Sequence, residues 1–495
     1  MVLDPTQLAE ALGVPAPSGA GAVYGLTHDS REAGPGVAFV AVPGFKRDGT
    51  EFAADAIRRG APLVVAEHAV PGAPTAVVPD ARKALADLAS AVYGNPSKRM
   101  KVYGITGTNG KTTTSYALHA VLTAAYGEKV CGLMTTAGTI SGGERPETPP
   151  VRTTPEAPEV QRLLAEMLGS GVGRVVMEVS SHGIALKRAA GIRFAGALFT
   201  NLTRDHLDLH GSMEEYYRTK RELFHWVPQG GPKLANAEDA YGRRLAGEVE
   251  GVKTFGGAKD ADYRVTGVRV ESGGTAFMLG YGGRSLEVRT PLLGTYNVLN
   301  VAGAAAFALE AGVEDQAVIQ AAGEMPQVPG RFERVPGADE FGFEVIVDYA
   351  HTDVGLEAVL KVARSVVANG GAGPRPGRVI CVFGAAGERD GDKRPKMGRI
   401  ASGLADHNII TTDDAYSEDP AGIAREVAAG MECPDIVLDR RDAIRRALGE
   451  ARPGDVVVVA GKGHETVQHL PEGDVPFHDA SVVRDLLREL REEAR

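Results

Sequence analysis

A glycine-rich segment that ends in lysine and threonine is the strongest chemical feature of this sequence. It lies between an apolar run at 101–105 and a helical pattern at 115–125. Glycines let backbone N–H groups turn toward phosphate oxygens, lysine reaches the β- and γ-phosphates, and a threonine hydroxyl reaches Mg²⁺. The strict pattern expects glycine where the chain has Ile105, but strand, loop and helix follow in the right order. We therefore predict a phosphate-binding loop made of Gly107, Thr108, Asn109, Gly110, Lys111, Thr112 and Thr113.

Charged side chains follow two later apolar runs. Glu178 ends the run at 174–179, and His206 lies in a segment dense in titratable groups after the run at 197–200. A carboxylate at a strand end beside a phosphate loop can hold Mg²⁺ directly or through water, although such a residue can equally be structural. Lys220 falls in a helical pattern at 214–226, and periodicity alone predicts a solvated surface lysine there.

The elements that must position these residues alternate regularly along the chain. Short apolar runs suit strands covered on both faces, and the intervening helical patterns suit crossovers between parallel strands. Ligands of such sheets bind at the carboxyl ends of the strands, where most of the polar clusters fall. Breaks at 95–99 and 325–330 divide the chain into domains at 1–98, 99–329 and 330–495. The predicted fold is α/β with three domains, a central P-loop mononucleotide-binding sheet and a C-terminal Rossmann-like sheet.

Length and charge narrow the class of protein. The chain has 495 residues, 54 basic and 64 acidic, and a formal charge of −10, which argues against binding to nucleic acid or to an anionic membrane surface. No apolar run is long enough to span a membrane, so we expect a soluble cytoplasmic protein. Three distant cysteines, each expected to be buried, form no disulfide framework: Cys131, Cys381 and Cys433.

Taken together, these segments resemble the Mur ligases, ATP-dependent amide ligases of cell-wall peptide synthesis. Further motifs follow in family order: a uridine-site motif, an asparagine motif, two nucleotide motifs and a closing Gly-Lys-Gly-His-Glu motif, at 27–31, 293–300, 328–333, 347–352 and 461–465. The last motif is typical of the MurE type, which adds the third residue of the stem peptide. The resemblance spans all three predicted domains.

The resemblance implies ATP and two Mg²⁺ sites. Beyond the phosphate loop, the implied nucleotide contacts are Asn297, Arg331, Asp348 and His351. Lys220 aligns with a lysine that CO₂ converts to a carbamate, an anion able to bridge metal, and this reverses the surface interpretation given above. Burial near cations favours the neutral amine that this reaction needs. The implied catalytic residues are Lys111, Glu178, His206 and Lys220, and the implied metal ligands are Thr112, Glu178, His206 and carbamylated Lys220.

The resemblance also implies the reactants. The first domain binds UDP-N-acetylmuramoyl-L-Ala-D-Glu, whose D-Glu carboxylate attacks the ATP γ-phosphate, and the amine of a free diamino acid then attacks the acyl phosphate. We expect a monomer without nucleic-acid or membrane partners. The implied contacts of the UDP substrate are Ser30, Thr153, Thr154, Ser180 and Arg188, and those of the amino acid are Arg389, Asp413, Asp414, Tyr416, Gly461 and Glu465.

One departure from the family bears on the amino acid. Members that add meso-diaminopimelate carry Asp-Asn-Pro-Arg, and the arginine grips the distal carboxylate. Here Asp414 replaces the asparagine and Tyr416 the arginine. A distal ammonium meets a favourable charge, so we predict L-lysine or L-ornithine, with meso-diaminopimelate as the alternative. Other departures leave the acceptor contacts open: Phe45, Lys46, Arg47, Arg152 and Leu186.

Two rival functions remain open from sequence. A different ligase of the superfamily, such as folylpolyglutamate synthase, shares the phosphate loop and the modified lysine. A P-loop regulator or motor uses ATP to change shape, and it turns over ATP without an acceptor, which a ligase does not. The motif at 461–465 and the Asp-Ser-Arg at 29–31 favour the MurE type over the first rival.

Overall fold

The described residues form three sheets of four or more strands, covered by helices, and one two-stranded sheet. The computed structural model describes residues 2–44, 47–145, 153–271, 274–369 and 376–493, so the departures at Phe45, Lys46 and Arg152 lie outside the described residues. The chain forms two compact units. The first comprises Met1–Val268, Phe277–Arg289 and Leu299–Glu324, and the second comprises Arg269–Ala276, Thr290–Val298 and Met325–Arg495.

The first unit opens with a four-stranded parallel sheet in the order β1-β2-β3-β4. Apolar clusters cover both of its faces. Aspartates begin two of its helices, because the side chains of Asp4 and Asp80 accept hydrogen bonds from first-turn N–H groups. The elements are α1 (Pro5–Leu12), β1 (Gly25–Thr27), β2 (Val37–Val40), α2 (Ala53–Arg58), β3 (Val64–Ala66), β4 (Thr75–Val77) and α3 (Ala81–Val92).

A ten-stranded sheet follows, in the order β14-β13-β12-β11-β10-β9-β5-β8-β6-β7. The strand before the phosphate loop, β5, lies parallel between β8 and β9, so Ile105 pairs with Glu178 and Thr106 with Phe199. The elements are β5 (Lys101–Thr106), α4 (Lys111–Tyr126), β6 (Cys131–Thr135), β7 (Gly138–Ser141), α5 (Ala157–Gly169), β8 (Arg174–Glu178), α6 (Ser181–Ala185), β9 (Phe194–Phe199), α7 (Leu207–His210), α8 (Met213–His225), β10 (Lys233–Asn236), α9 (Ala240–Glu248), β11 (Val252–Gly256), β12 (Tyr263–Glu271), β13 (Gly274–Tyr281), β14 (Arg284–Thr290), α10 (Thr295–Glu310) and α11 (Asp315–Gly323).

The second unit contains a six-stranded sheet in the order β15-β16-β20-β17-β18-β19, parallel except for β15, with an apolar cluster on each face. This order places the carboxyl ends of β16, β20, β17 and β18 side by side. The elements are β15 (Glu333–Arg334), β16 (Glu344–Asp348), α12 (Asp353–Asn369), β17 (Val379–Phe383), α13 (Arg394–Leu404), β18 (His407–Ile410), α14 (Pro420–Ala428), β19 (Asp435–Ile436), α15 (Arg440–Glu450), β20 (Val456–Ala460), β21 (Val467–Leu470), β22 (Gly473–Pro476) and α16 (Asp479–Glu493).

The α/β class with three sheet-containing domains is confirmed, whereas the boundaries at 98/99 and 329/330 stay predictions. Helix α4 begins at Lys111, earlier than the sequence pattern suggested, because Gly110 in a left-handed conformation is its N-cap. Cys131 and Cys381 are buried, but Cys433 is exposed, so its predicted burial is wrong. Within the described ranges no helix is long and apolar enough to cross a membrane.

Candidate active site

The phosphate loop is held in place by the segment that follows β9. The backbone N–H of Thr108 donates to the Asn201 carbonyl at 2.8 Å, and that of Asn109 donates to the Asn201 side chain at 3.0 Å. Position 107 needs glycine, since a Cβ there would overlap the Thr200 hydroxyl. The loop therefore leads into the N-terminus of α4, where free N–H groups and the helix dipole favour a phosphate.

Glu178 lies beside this loop at the end of β8, buried to 2% exposure. Its Oε2 accepts hydrogen bonds from the hydroxyls of Thr112 at 3.0 Å and Thr136 at 3.3 Å, and its Oε1 lies 3.8 Å from Lys111 Nζ. The sheet order explains this meeting, because β8 is the direct neighbour of β5. The Lys111 ammonium also donates to the Thr108 carbonyl at 2.9 Å.

The oxygen atoms at this place suit Mg²⁺. In the described part of the chain no group of three or more His, Cys, Asp or Glu side chains forms a metal cage. Mg²⁺ normally takes only one or two protein ligands and completes its shell with phosphate and water oxygens. The Thr112 hydroxyl and the Glu178 carboxylate, already in contact, therefore fit a Mg²⁺ that accompanies a nucleoside triphosphate.

Lys220 is buried rather than solvated, so the expectation from helical periodicity alone is wrong. The side chain is 1% exposed, and its Nζ donates to the Gly107 carbonyl at 2.7 Å. The ring centroid of Tyr216, one helical turn earlier, lies 4.8 Å from the same nitrogen. Burial, and next the positive charge of Lys111, hold the pKa of Lys220 well below the usual value of a lysine.

His206 lies immediately before α7 in a left-handed backbone conformation, with φ +50°. Its Nε2 lies 3.4 Å from Asp205 Oδ2, and its ring centroid lies 4.7 Å from that of His182. Burial lowers the pKa of His206 to about 4, although Asp205 opposes the shift, so the imidazole is neutral near pH 7. A neutral imidazole keeps a nitrogen lone pair for a metal or a proton.

Sequence analysis missed Tyr216 and His182. The hydroxyl of Tyr216 lies 3.2 Å from that of Thr108 in the phosphate loop, and its ring stacks on His210 at 4.7 Å. A signal for Tyr216 was present, since residues four apart on a helix share a face and Lys220 already pointed to this site.

Four of the five residues implied for the UDP substrate meet near Glu178. The Thr154 hydroxyl donates to the Glu178 carbonyl at 3.3 Å and accepts from the Ser180 backbone at 3.0 Å. Arg188 donates to the Thr154 carbonyl at 3.3 Å, and Thr136 donates to the Thr153 hydroxyl at 3.0 Å. Ser30 belongs to the part of the unit that carries the four-stranded sheet, in a turn that Asp29 caps.

In the second unit, three of the four implied nucleotide contacts cluster around the carboxyl end of β16. The Asp348 carboxylate accepts from the Phe332 backbone at 2.6 Å, and burial raises its pKa against the opposing charge of Arg331. The Arg331 guanidinium lies 4.5 Å from the Tyr349 ring, and His351 Nδ1 lies 2.8 Å from the Tyr349 carbonyl. The fourth contact, Asn297, is buried and donates to the Leu293 carbonyl at 2.8 Å.

The residues implied for the amino acid follow the carboxyl ends of β17, β18 and β20. Lys462, fully buried, donates to Asp414 at 2.8 Å and to Glu465 at 3.0 Å. Glu465 also accepts from the Tyr349 hydroxyl at 3.0 Å. Asp414 is therefore not an isolated carboxylate, because Lys462, a lysine of the 461–465 motif that sequence analysis left out, is shared between it and Glu465.

Tyr416 occupies the position of the family arginine. Its backbone is left-handed, with φ +51°, and its ring stacks on His469 at 5.2 Å. The guanidinium of Arg389 lies 5.9 Å from the centroid of the same ring. A cationic group is thus present beside Tyr416, although it comes from another segment of the chain.

Comparisons with known proteins agree with this geometry. Residues 22–93 match the Mur ligase family catalytic domain, residues 105–308 the Mur ligase middle domain, and residues 330–463 the Mur ligase glutamate ligase domain. The chain belongs to the Mur ligase family, whose members are ATP-dependent acid–amino-acid ligases of cell-wall peptide synthesis.

Within that family the chain is of the MurE type. UDP-N-acetylmuramoyl-L-alanyl-D-glutamate–2,6-diaminopimelate ligase of Solibacter usitatus is 41% identical over 476 residues, which are 94% of each chain. The ligase of the same name from Syntrophomonas wolfei is 39% identical over 94% of this chain and 95% of its own. A solved structure of such a ligase, 28% identical, covers 99% of this chain and 100% of its own with a TM-score of 0.68.

Proposed function

We propose that this ligase joins a diamino acid to the D-glutamyl carboxylate of UDP-N-acetylmuramoyl-L-Ala-D-Glu. The carboxylate attacks the γ-phosphorus of ATP, ADP leaves, and an acyl phosphate forms. The amine of the diamino acid then attacks the acyl carbon, phosphate leaves, and the amide loses a proton. In this proposal the chain supplies no covalent nucleophile; positioning and charge neutralisation supply the rate.

The observation that carries the proposal is the cluster around the phosphate loop. Lys111, Thr112 and Glu178 are in mutual contact there, and Lys220 donates to the loop backbone. Lys111 is positioned to offset charge on the transferred phosphoryl group once its contact with the Thr108 carbonyl is exchanged for phosphate oxygens. Thr153, Thr154, Ser180 and Arg188 adjoin Glu178, which suits a role in placing the acceptor next to that phosphate.

Mg²⁺, when bound, offsets negative charge on the phosphates and on the acyl phosphate. We propose Thr112 and Glu178 as ligands of one ion, and His206 with a carbamate on Lys220 as ligands of a second. The carbamate forms when the neutral Lys220 amine attacks CO₂, which creates an N–C bond and releases one proton. The near-complete burial of Lys220 beside the loop supports this role, since burial favours the neutral amine that attacks CO₂.

For the amino acid, the comparisons support 2,6-diaminopimelate, our alternative, better than lysine or ornithine, because the relatives that match nearly the whole chain are named for it. The Asp414–Lys462 pair weakens the argument for a distal ammonium. We therefore propose diaminopimelate, with Arg389 near Tyr416 as the cation available to a carboxylate. The implied nucleotide contacts Asn297, Arg331, Asp348 and His351 and the expected cytoplasmic location stay predictions.

The test is phosphate release and amide formation by the purified chain with ATP, UDP-N-acetylmuramoyl-L-Ala-D-Glu and, separately, diaminopimelate, lysine and ornithine. We expect phosphate only when both acceptor and amine are present, with the highest kcat/KM for diaminopimelate. Product formed with lysine or ornithine but not with diaminopimelate would support the first interpretation, in which Tyr416 in place of the arginine favours a distal ammonium. ATP turnover without acceptor would indicate a regulator or motor, and ligation to a folate would indicate the other superfamily ligase.

A further inference from the structure

A fully buried ion pair lies next to the proposed amino-acid residues, and neither the motifs nor the family resemblance gave it a role. Arg440 is the first residue of α15 and Asp479 the first of α16, and both side chains are 0% exposed. Two parallel hydrogen bonds join them, from Arg440 Nε and Nη2 to the two carboxylate oxygens, each at 2.8 Å. This fork fixes the guanidinium plane as well as its position.

The pair reaches the proposed site through the backbone of β20. Arg440 Nη2 also donates to the carbonyl of Ala460 at 3.1 Å, and Ala460 is the last residue before the 461–465 motif. Gly461 lies close to the side chains of Asp413 and Arg440. A Cβ on it would overlap Asp413 Oδ2 and come within 3.9 Å of Arg440 Nη2. The guanidinium therefore sets where the chain leaves the sheet and turns toward Lys462.

Two buried atoms at this place lack hydrogen-bond partners. Among the described residues, neither Arg440 Nη1 nor Asp413 Oδ2 has one. A buried polar atom without a partner costs about 1–3 kcal/mol, and a buried ion pair adds little net stability because burial cost offsets the attraction. Stability alone thus does not explain the buried Arg440–Asp479 pair. A role in fixing the Asp413 carboxylate next to an amino-acid subsite does explain it.

We propose that Arg440, held by Asp479, is a positioning residue for the incoming amino acid. It fixes the Ala460 carbonyl, and through it the path of Gly461 and Lys462, and its charge holds the buried Asp413 carboxylate against Gly461 at the edge of the amino-acid subsite. This proposal rests on the proposed function, which assigns Asp413, Gly461 and Glu465 to the amino acid.

The same sheet offers a control pair of the same residue types, in which the aspartate is fully buried and the arginine is 33% exposed. Arg378 precedes β17 and Asp455 precedes β20, and their side chains meet at 2.8 Å with Asp455 at 0% exposure. Both residues lie at the amino ends of parallel strands, which is the edge opposite to the carboxyl ends. A purely structural role predicts, for either pair, no selective rise in KM for the diamino acid over KM for ATP.

The experiment compares Arg440→Lys and Asp479→Asn with Arg378→Lys and Asp455→Asn in the full chain. We expect the first two variants to raise KM for the diamino acid about tenfold or more and to change KM for ATP less than about twofold. The control variants should leave both constants near wild type. Equal effects of both pairs on the two KM values would overturn the proposal.

Amide hydrogen exchange provides a readout that does not depend on turnover. The N–H of Gly461 donates to the Asp348 carbonyl at 3.0 Å, so its exchange reports the fixed path of this segment. We expect faster exchange at 461–462 in Arg440→Lys than in Arg378→Lys, and unchanged exchange would overturn the proposal even if a variant were inactive. If wild-type enzyme ligated no diamino acid, the proposed function would fail, whereas this exchange result would still decide whether Arg440 positions the segment.

Discussion

The side-chain nitrogen of Lys220 donates to the carbonyl of Gly107 at 2.7 Å, across 113 residues of sequence. This contact joins a helical lysine to the first glycine of the phosphate loop. It exists because β9, which leads to α7 and α8, pairs directly with β5. The contact places Lys220 against the backbone of the predicted phosphate loop, and it gives a lysine that periodicity places on the surface a reason to be buried.

Lys220→Ala should lower the rate of ligation by about 100-fold or more, because the proposed carbamate and its metal contact are lost. A short-chain carboxylate added at high concentration should restore part of the rate by replacing the missing anion. The measurement is phosphate release with and without the carboxylate. Lys129→Ala, at an exposed lysine of the same unit, should behave like wild type. Full activity of Lys220→Ala would remove this residue from the site.

Glu178→Gln should raise the Mg²⁺ concentration needed for half-maximal activity and lower kcat by about 100-fold. The amide keeps the shape of the side chain and its hydrogen bond from Thr112, but it lacks the charge that attracts the ion. A Mg²⁺ titration of activity checks this, with Glu159→Gln, at an exposed position of α5, as the control. An unchanged Mg²⁺ dependence would contradict the assignment.

Lys462→Met should shift the choice of diamino acid toward lysine or ornithine. Removal of the buried ammonium leaves Asp414 and Glu465 uncompensated, so a distal carboxylate is repelled and a distal ammonium is attracted. We expect the ratio of kcat/KM for diaminopimelate to that for lysine to fall about tenfold or more, and this ratio does not depend on the folded fraction. The control is Lys361→Met, at an exposed lysine paired with Glu357, which should leave the ratio unchanged. An unchanged ratio in Lys462→Met would show that Lys462 does not determine which diamino acid is used.

His119 should make the protein sensitive to acid. Burial lowers the pKa of this imidazole on α4 to about 4, whereas the unfolded chain takes up the proton near pH 6.5. Because the pKa is lower in the folded state, protonation of His119 does not reduce the free energy of unfolding above about pH 6.5. As the pH falls from there toward 4, the free energy of unfolding decreases, by about 2 kcal/mol at pH 5. His119→Leu should therefore show a smaller drop in Tm between pH 7.5 and pH 5 than wild type, and His225→Leu, at an exposed histidine, should not.

Motif and spacing predicted a large part of the fold and of the first unit's site. The phosphate loop, Glu178 and the helix that carries Lys220 were visible because each follows a strand signal and keeps a fixed order. Sequence could not show that β5 lies between β8 and β9, because strand order depends on long-range pairing. Burial of Lys220 follows from that order, which explains why helical periodicity gave the opposite expectation.

The chemistry of the second unit was harder to predict from sequence. Asp414 was visible as an acidic replacement, but its partner Lys462 lies 48 residues later and comes beside it only through the pairing of β20 with β17 and of β17 with β18. A local comparison of four residues therefore could not include the lysine that pairs with Asp414. The pair of Arg440 and Asp479 was invisible for the same reason, since nothing in either segment marks it as buried.

The acyl phosphate is the central claim, and oxygen transfer tests it most directly. UDP-N-acetylmuramoyl-L-Ala-D-Glu with ¹⁸O in the D-glutamyl carboxylate is incubated with ATP, Mg²⁺ and the diamino acid, and the released phosphate is analysed by ³¹P NMR. The proposed path predicts that one carboxylate oxygen of each acceptor appears in the inorganic phosphate. Unlabelled phosphate, released while labelled amide product accumulates, would contradict it.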